Sequence, residues 1–416
     1  MPMKESILSH LDQADKLEKL YRSNKSSFKE EFNELYPQLK GQPLAEFWHE
    51  RLNYETDTIS WGSAKEWKFV ALAALLAGLL AKFPAIFFLE EQFFYPRNLG
   101  FVVFPFVSAY FLWKTQTSRK TIGILAVVMA IAALYINLLP DNKESDTLIL
   151  ACMHLPLLLW AILGASFSGG HISNLGKRLE YLRFNGDTVV MGAILLLAGL
   201  LMSGITVGLF GLIGLNIEKF YFEWIAVFGL AAAPLVAVHL TQTNPQLVNK
   251  VPPIIAKIFS PLVLVMLVIY LGAIVYSGKD PYNDREFLLL FNMLLIGVMG
   301  LVFFSVAETS KNEPSKPGVW VLLLLSFVTI LVNGIALSAI LFRISEWGIT
   351  PNRVAVLGIN ILMLIHLLIV SRKLFQTVRN SSTIGEVGKV IAWYLPVYFI
   401  WTGIVVFLFP VLFGFS

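Results

Sequence analysis

The chain has 416 residues, of which 56% are hydrophobic and 14% charged, with a mean hydropathy of +0.69. Soluble domains carry about a quarter charged residues, so a soluble fold is excluded as the bulk of this chain. A single cysteine, Cys152, excludes a disulfide framework and a cysteine-based metal site within one chain. Residues 1–66 hold 9 Lys/Arg against 12 Asp/Glu, and the remainder 23 against 16. An acidic front segment argues against nucleic acid as a partner. The basic excess behind it is what membrane-flanking loops carry, and the lipid bilayer is the expected partner.

The first sixty residues are polar, and the first long apolar block begins near Trp67, too late for a cleavable signal. Residues 6–52 read as three amphipathic helices. Ile7, Leu8, Leu11, Leu17, Leu20 and Tyr21 mark one face of the first, and Phe28, Phe32, Leu35, Tyr36 and Leu39 that of the second. Ser27 and Glu30 have capping-box spacing. Pro43 opens a third helix whose apolar face is Leu44, Phe47, Trp48 and Leu52. His49-Glu50 starts like a zincin motif, but Asn53 stands where the second histidine is needed. The expectation is a helical cytoplasmic domain over residues 1–66, either packing on itself or docking a cytoplasmic protein through residues 1–60.

Blocks of about twenty apolar residues match a bilayer's hydrocarbon core. They fall at 67–89, 97–113, 121–139, 147–167, 188–214, 220–240, 254–277, 287–306, 318–342, 352–371 and 389–413. The expected fold is all-α: a polytopic transmembrane bundle of about eleven spans over residues 67–416. The even-numbered connections hold fourteen Lys/Arg, from Lys114 to Lys389, against seven in the opposite set. The positive-inside rule then places the N-terminus inside and the C-terminus outside. No internal repeat is visible, and an odd span count does not split into equal halves, which weakens an inverted-repeat transporter.

In the fifth span Gly204, Gly208, Gly211 and Gly214 form a strip suited to close helix packing. The 9–10 connection runs from Arg343 through Glu346, Gly348, Thr350 and Pro351 to Arg353. Gly348 is placed to end one helix, and Thr350 with Pro351 to start the next. Arg343 and Arg353 lie on the side that otherwise avoids positive charge, each able to pair with Glu346 or hold an anion at headgroup level. This string, over residues 342–357, resembles a large bacterial family of multi-pass membrane proteins known only as a domain of unknown function. The resemblance implies fold kinship and a bacterial inner-membrane location, and brings no reaction, cofactor or site residue with it.

Polar residues inside spans are costly in lipid and usually face the protein interior. Asn333 lies nine residues before the end of span nine and Asn360 eight after the start of span ten, about 12–14 Å deep at 1.5 Å per residue. Lys82, His154 and Asn292 come out at roughly 9–11 Å from the same face, with Glu223 shallower. Two readings follow. In one, each group is structural: the amides join helices, Lys82 snorkels towards Glu90 or Glu91, and His154 bonds a carbonyl near Pro156. In the other, Lys82, His154, Asn292, Asn333 and Asn360 line one outward-facing pocket for a small molecule or ion. His366 and His239 lie towards the inner side, outside such a pocket. Gly164-Ala-Ser166-Phe-Ser168 lacks the closing glycine of a nucleophile elbow, and no phosphate loop or dinucleotide fingerprint is present. The expectation is therefore a permease or solute-binding membrane protein, not an enzyme, without cofactor or metal. The competing expectation is a membrane scaffold or sensor, with an intramembrane enzyme a distant third.

Overall fold

A computed structural model describes residues 3–23, 25–54, 61–245, 251–277, 282, 285–309 and 316–415. No strand occurs among the described residues. The chain divides into two compact units, Met1–Ser60 and Trp61–Ser416.

The first unit holds four helices where periodicity suggests three: α1 (Met3–Leu8), α2 (Ala14–Ser23), α3 (Lys25–Leu39) and α4 (Pro43–Tyr54). The first expected helix breaks because Ser9 Oγ and His10 Nδ1 both donate to the carbonyl of Ser6, at 3.1 and 2.8 Å. Short side chains that bond the local backbone compete with the helical ladder in this way. Helix α3 starts at Lys25, two residues ahead of the expected cap at Ser27; the side chains of Ser27 and Glu30 lie outside the described residues. Ile7, Leu17, Phe28, Phe32, Leu35 and Trp48 form a core of their own. Arg51 lies over the Trp48 ring at 4.7 Å and, with Arg22, reaches Glu18. His49 stacks on Tyr36, a packing role in place of the rejected zinc motif.

The unit ends at Ser60, ahead of the expected boundary at 66. The next residues belong to the second unit because they start its first helix. Ser63 caps α5 (Ala64–Ala81) in a capping box with Glu66, and the Trp61 carbonyl accepts from His239 at 3.1 Å.

The second unit continues through α6 (Phe83–Phe87), α7 (Glu91–Lys114), α8 (Arg119–Leu138), α9 (Asp146–Phe167) and α10 (Leu175–Leu212). Then come α11 (Glu218–Thr243), with a π-helical turn at Tyr221–Ile225, α12 (Val251–Ser277) and α13 (Arg285–Thr309). Helices α14 (Lys316–Trp347), α15 (Pro351–Val378) and α16 (Ile384–Leu412) complete it, the last with a π turn at Ile404–Leu408. Among the described residues, nine of these, α8 to α16, hold stretches long and apolar enough to cross a membrane. The protein is therefore an integral membrane protein of many passes. The first two expected spans are helical too. The first breaks at Lys82, where Pro84, lacking an N–H, starts the short α6; the second is α7, which carries Glu91, Arg97 and Lys114.

Helix α10 starts thirteen residues ahead of its expected span, at Leu175 after an Asn174 cap. The added turns bury Tyr181 and Phe184 against α7 and α9. The glycine strip behaves otherwise than expected: among the described residues, a methyl added at Gly204, Gly208 or Gly211 meets no other part of the chain within 4 Å. Close approach occurs instead at Gly78 under Phe228, Gly186 under Phe304 and Gly358 under Trp401. Two large apolar cores result. One gathers α5, α7, α9, the start of α10 and α11. The other gathers α12 to α16.

Candidate functional site

The second core holds the amides. Asn360 on α15 donates through Nδ2 to Asn292 Oδ1 on α13 at 2.8 Å, and Asn292 Nδ2 donates to the Leu288 carbonyl one turn back at 2.7 Å. Asn360 Oδ1 has no partner. Asn333 on α14 is 0% exposed, and neither its Oδ1 nor its Nδ2 is hydrogen-bonded. The core around α14 and α15 is apolar, and includes Val332 and Ala336 beside Asn333 on its own helix.

A serine pair sets the register between α14 and α15. Ser371 Oγ donates to Ser326 Oγ at 3.0 Å, so these residues share a level and face each other. Asn333 is seven residues from Ser326, two turns or about 10 Å along α14, and rotated back to within about 20° of it. Asn360 is eleven residues from Ser371, about 16 Å along α15 and on the same face. Both amides therefore look into one seam, with Asn360 about 6 Å, one turn, nearer the turn at Gly348. Sequence placed them level. The difference arises because α14 runs to Trp347, past the apolar block that ends at 342. That extension puts Asn333 deeper and leaves it out of bonding reach.

Lys82 and His154 do not join this group. Lys82, 7% exposed, sits at the α5–α6 break with its ammonium 4.8 Å from the Trp224 ring. It does not reach Glu90, which pairs with Lys143 at 3.0 Å. His154 donates through Nδ1 to the Leu150 carbonyl of its own helix at 2.8 Å. No hydrogen bond joins Lys82 or His154 to the amides among the described residues: Lys82 lies at Trp224 and His154 bonds within its own helix, although α9 packs on α15 through Leu150 and Ala355. Nor does the expected pocket stand open, since Asn333 and Asn360 are 0% and Asn292 9% exposed. A shallow groove of about 380 Å³ on α12, lined by Leu262, Met266, Ile269 and Tyr270, is apolar and touches none of the amides.

The arginines of the 9–10 connection hold the turn. Gly348 has φ +78°, Thr350 Oγ1 accepts from Arg353 N at 3.3 Å, and Pro351 starts α15. Arg353 Nη1 donates to the carbonyls of Trp347 and Gly348 at 2.7 and 2.6 Å, satisfying the end of α14. Arg343 Nε donates to the Tyr282 carbonyl at 2.9 Å. Both guanidinium groups flank the Trp347 indole, at 5.2 and 5.8 Å. Among the described residues no ion pair joins either to Glu346, which is exposed.

Other polar groups were missed or set aside by sequence reasoning. His239 on α11 is fully buried, with Nε2–H donating to Trp61 O. Its Nδ1 therefore accepts from the Tyr110 hydroxyl at 3.3 Å, and that hydroxyl accepts from Lys114 Nζ at 3.4 Å. Lys114 in turn lies 3.6 Å from Glu66. The one legible signal was Ser63-Ala-Lys-Glu66, a capping box at the start of α5. On α15, His366 stacks against Tyr394 at 4.3 Å, close to Phe303 at 4.5 Å, and its Nδ1 is 3.1 Å from the Tyr398 hydroxyl. Arg183 Nε donates to the Ala307 carbonyl at 2.6 Å, with the charges of Glu308 and Asp187 beside it. Ser166 and Ser168 donate to carbonyls of their own helix, and His171 bonds the Ser168 backbone, so no hydroxyl meets a base there. Among the described residues no group of three His, Cys, Asp or Glu is placed to hold a metal.

No protein family, no curated protein and no solved structure matches the chain. The functional reading rests on the site itself.

Proposed function

We propose that this membrane protein is a permease or solute-binding protein in a closed state, whose site is the amide group of Asn292, Asn333 and Asn360. The observation that carries this is Asn333, wholly buried with both amide atoms unbonded. A buried polar atom without a partner costs about 1–3 kcal/mol. Leucine has the same number and branching of side-chain heavy atoms and carries no polar group to strand. An amide kept there is accounted for by a partner that comes and goes, as a solute or water does. The Asn360 oxygen, one turn away on the same seam, supplies a second contact for the same guest.

The orientation assigned by loop charge puts the Gly348 turn outside, the chain's N-terminus inside, and counts α5–α6 and α7 as the first two of eleven spans. The bacterial inner membrane is the proposed location. The solute then enters from the Gly348 end. The test is cysteine accessibility in intact membranes, in a Cys152→Ser background, with Asn292→Cys, Asn333→Cys and Asn360→Cys. A membrane-impermeant maleimide is added from outside, with Thr350→Cys as the loop control. Labelling of the loop and of the amide positions supports a solute site. Labelling of the loop alone makes the amides packing groups.

A second reading has its own observation. The first unit closes around its own core yet leaves Phe47 58% exposed, which favours a docking module for a cytoplasmic protein. Loss of a phenotype on deleting residues 1–60, with the membrane unit still inserted, would support a scaffold or sensor.

A further inference from the structure

The amides are one end of a longer polar stripe. On α14, Ser326, Thr329 and Asn333 follow at intervals of three and four residues, and all are at most 1% exposed. That spacing places them on one helix face. On α15, Ser371 and Asn360 lie on one face by the same rule, and the Ser371–Ser326 bond shows that the two faces meet. Polar side chains therefore recur down the seam from Asn360 through Asn333 and Thr329 to Ser326, over about 16 Å. On α14 the apolar Leu325 and Val332 lie off this face, while on α15 Leu367 stands on it between Asn360 and Ser371, so the polar side chains between those two come from α14.

This stripe carries no charge. The charged residues of α14 and α15, such as Lys316, Arg343, Arg353, Arg372 and Lys373, stand towards the helix ends. The titratable group between them, His366, stacks on Tyr394 and near Phe303, and lies about 140° around α15 from Ser371. An ion entering a low-dielectric seam needs a counter-charge or a full shell of oxygens. Two amides and two hydroxyls already bonded to backbone carbonyls supply neither. What they do offer is a free amide N–H group and two free amide oxygens.

We infer that the α14–α15 seam is the path of a small uncharged solute that both donates and accepts hydrogen bonds. The Ser326–Ser371 contact closes that path at the end away from Gly348. This rests on the permease reading, and the experiment separates the two.

Single cysteines are placed in the Cys152→Ser full chain in native membranes at Asn333, Thr329 and Ser326. Leu325→Cys and Val332→Cys serve as controls, buried at the same depth but off the stripe; Ser371→Cys replaces Ser326→Cys if the latter fails to insert. Each is treated with an uncharged hydroxyethyl methanethiosulfonate and with its cationic trimethylammonium and anionic sulfonate analogues. The expected result is modification at 333, 329 and 326 by the uncharged reagent at least tenfold faster than by either charged one. It should also be tenfold faster than at 325 and 332. Reaction at 333 alone overturns the path and leaves the amide site standing. Equal rates for charged and uncharged reagents along the stripe overturn the solute class. Silence at every position overturns both the path and the permease reading.

Discussion

Two amide groups in the same membrane unit are built differently. Asn98 on α7 and Asn137 on α8 exchange hydrogen bonds, each Nδ2 donating to the other's Oδ1 at 2.9 Å. Each also donates to a carbonyl one turn back, Phe94 and Ala133. That pair is closed and joins two helices. On the α14–α15 seam the amides stop short. One bond joins Asn360 to Asn292, and Asn333 has none. The same amide chemistry thus gives a fastening in one place and unmet hydrogen-bonding capacity in the other. Unmet hydrogen-bonding capacity, more than polarity, marks the candidate site.

The largest effect that sharpens this contrast belongs to the closed pair. Asn137→Ala leaves Asn98 with unmet groups and should cost about 2 kcal/mol. Asn98→Leu with Asn137→Leu should recover much of that loss, since removing both partners strands neither. Reversible unfolding in mixed micelles measures both, and equal losses for single and double variants would break the comparison. Next is Asn292→Leu, which strands Asn360 Nδ2 and should cost about 1 kcal/mol in the same assay. Arg353→Gln comes third. Losing its bonds to the Trp347 and Gly348 carbonyls should cost about 0.5–1 kcal/mol. Proteolysis at the Gly348 turn should quicken if that account of the arginine is right.

The smallest effect lies in the first unit, expressed as residues 1–60 and followed by helical circular dichroism. The Glu34 carboxyl is held below the usual glutamate range by its hydrogen bond from Lys4 and by that residue's charge. Its stabilising contribution is present above the ordinary glutamate value and fades as pH falls through the lowered one. Glu34→Gln should therefore lower the neutral plateau slightly and meet the parent curve at low pH, which makes the acid limb shallower. An unaltered acid limb would show that this exposed pair contributes nothing.

Much of the helix layout was legible, because apolar blocks of bilayer length are a strong signal. The cap at Thr350-Pro351 and the left-handed Gly348 were legible from turn chemistry alone. The site was legible only as residue types. Hydropathy marks where lipid ends and not where a helix ends, so the turns from Arg343 to Trp347 were missed and Asn333 was set too shallow. Depth also says nothing of rotation or of which helices are neighbours, so Lys82, which lies against Trp224, stands at the depth of the amides without meeting them. The glycine strip at Gly204 failed for the same reason: spacing shows that a close approach is permitted, not that a partner is there. The His239–Tyr110–Lys114 chain joins residues far apart in sequence, where no local pattern exists to read.

The account turns on whether Asn333 is a group awaiting a partner or a fastening like Asn137. The unfolding free energy of Asn333→Leu, set beside the parent chain without added solute, decides between them. The amide has no bond to lose, so the variant should be more stable by about 1 kcal/mol. A loss as large as that of Asn137→Ala, found in Asn333→Leu and in the smaller Asn333→Val alike, would show that Asn333 is bonded in the resting protein, and would contradict the open amide site.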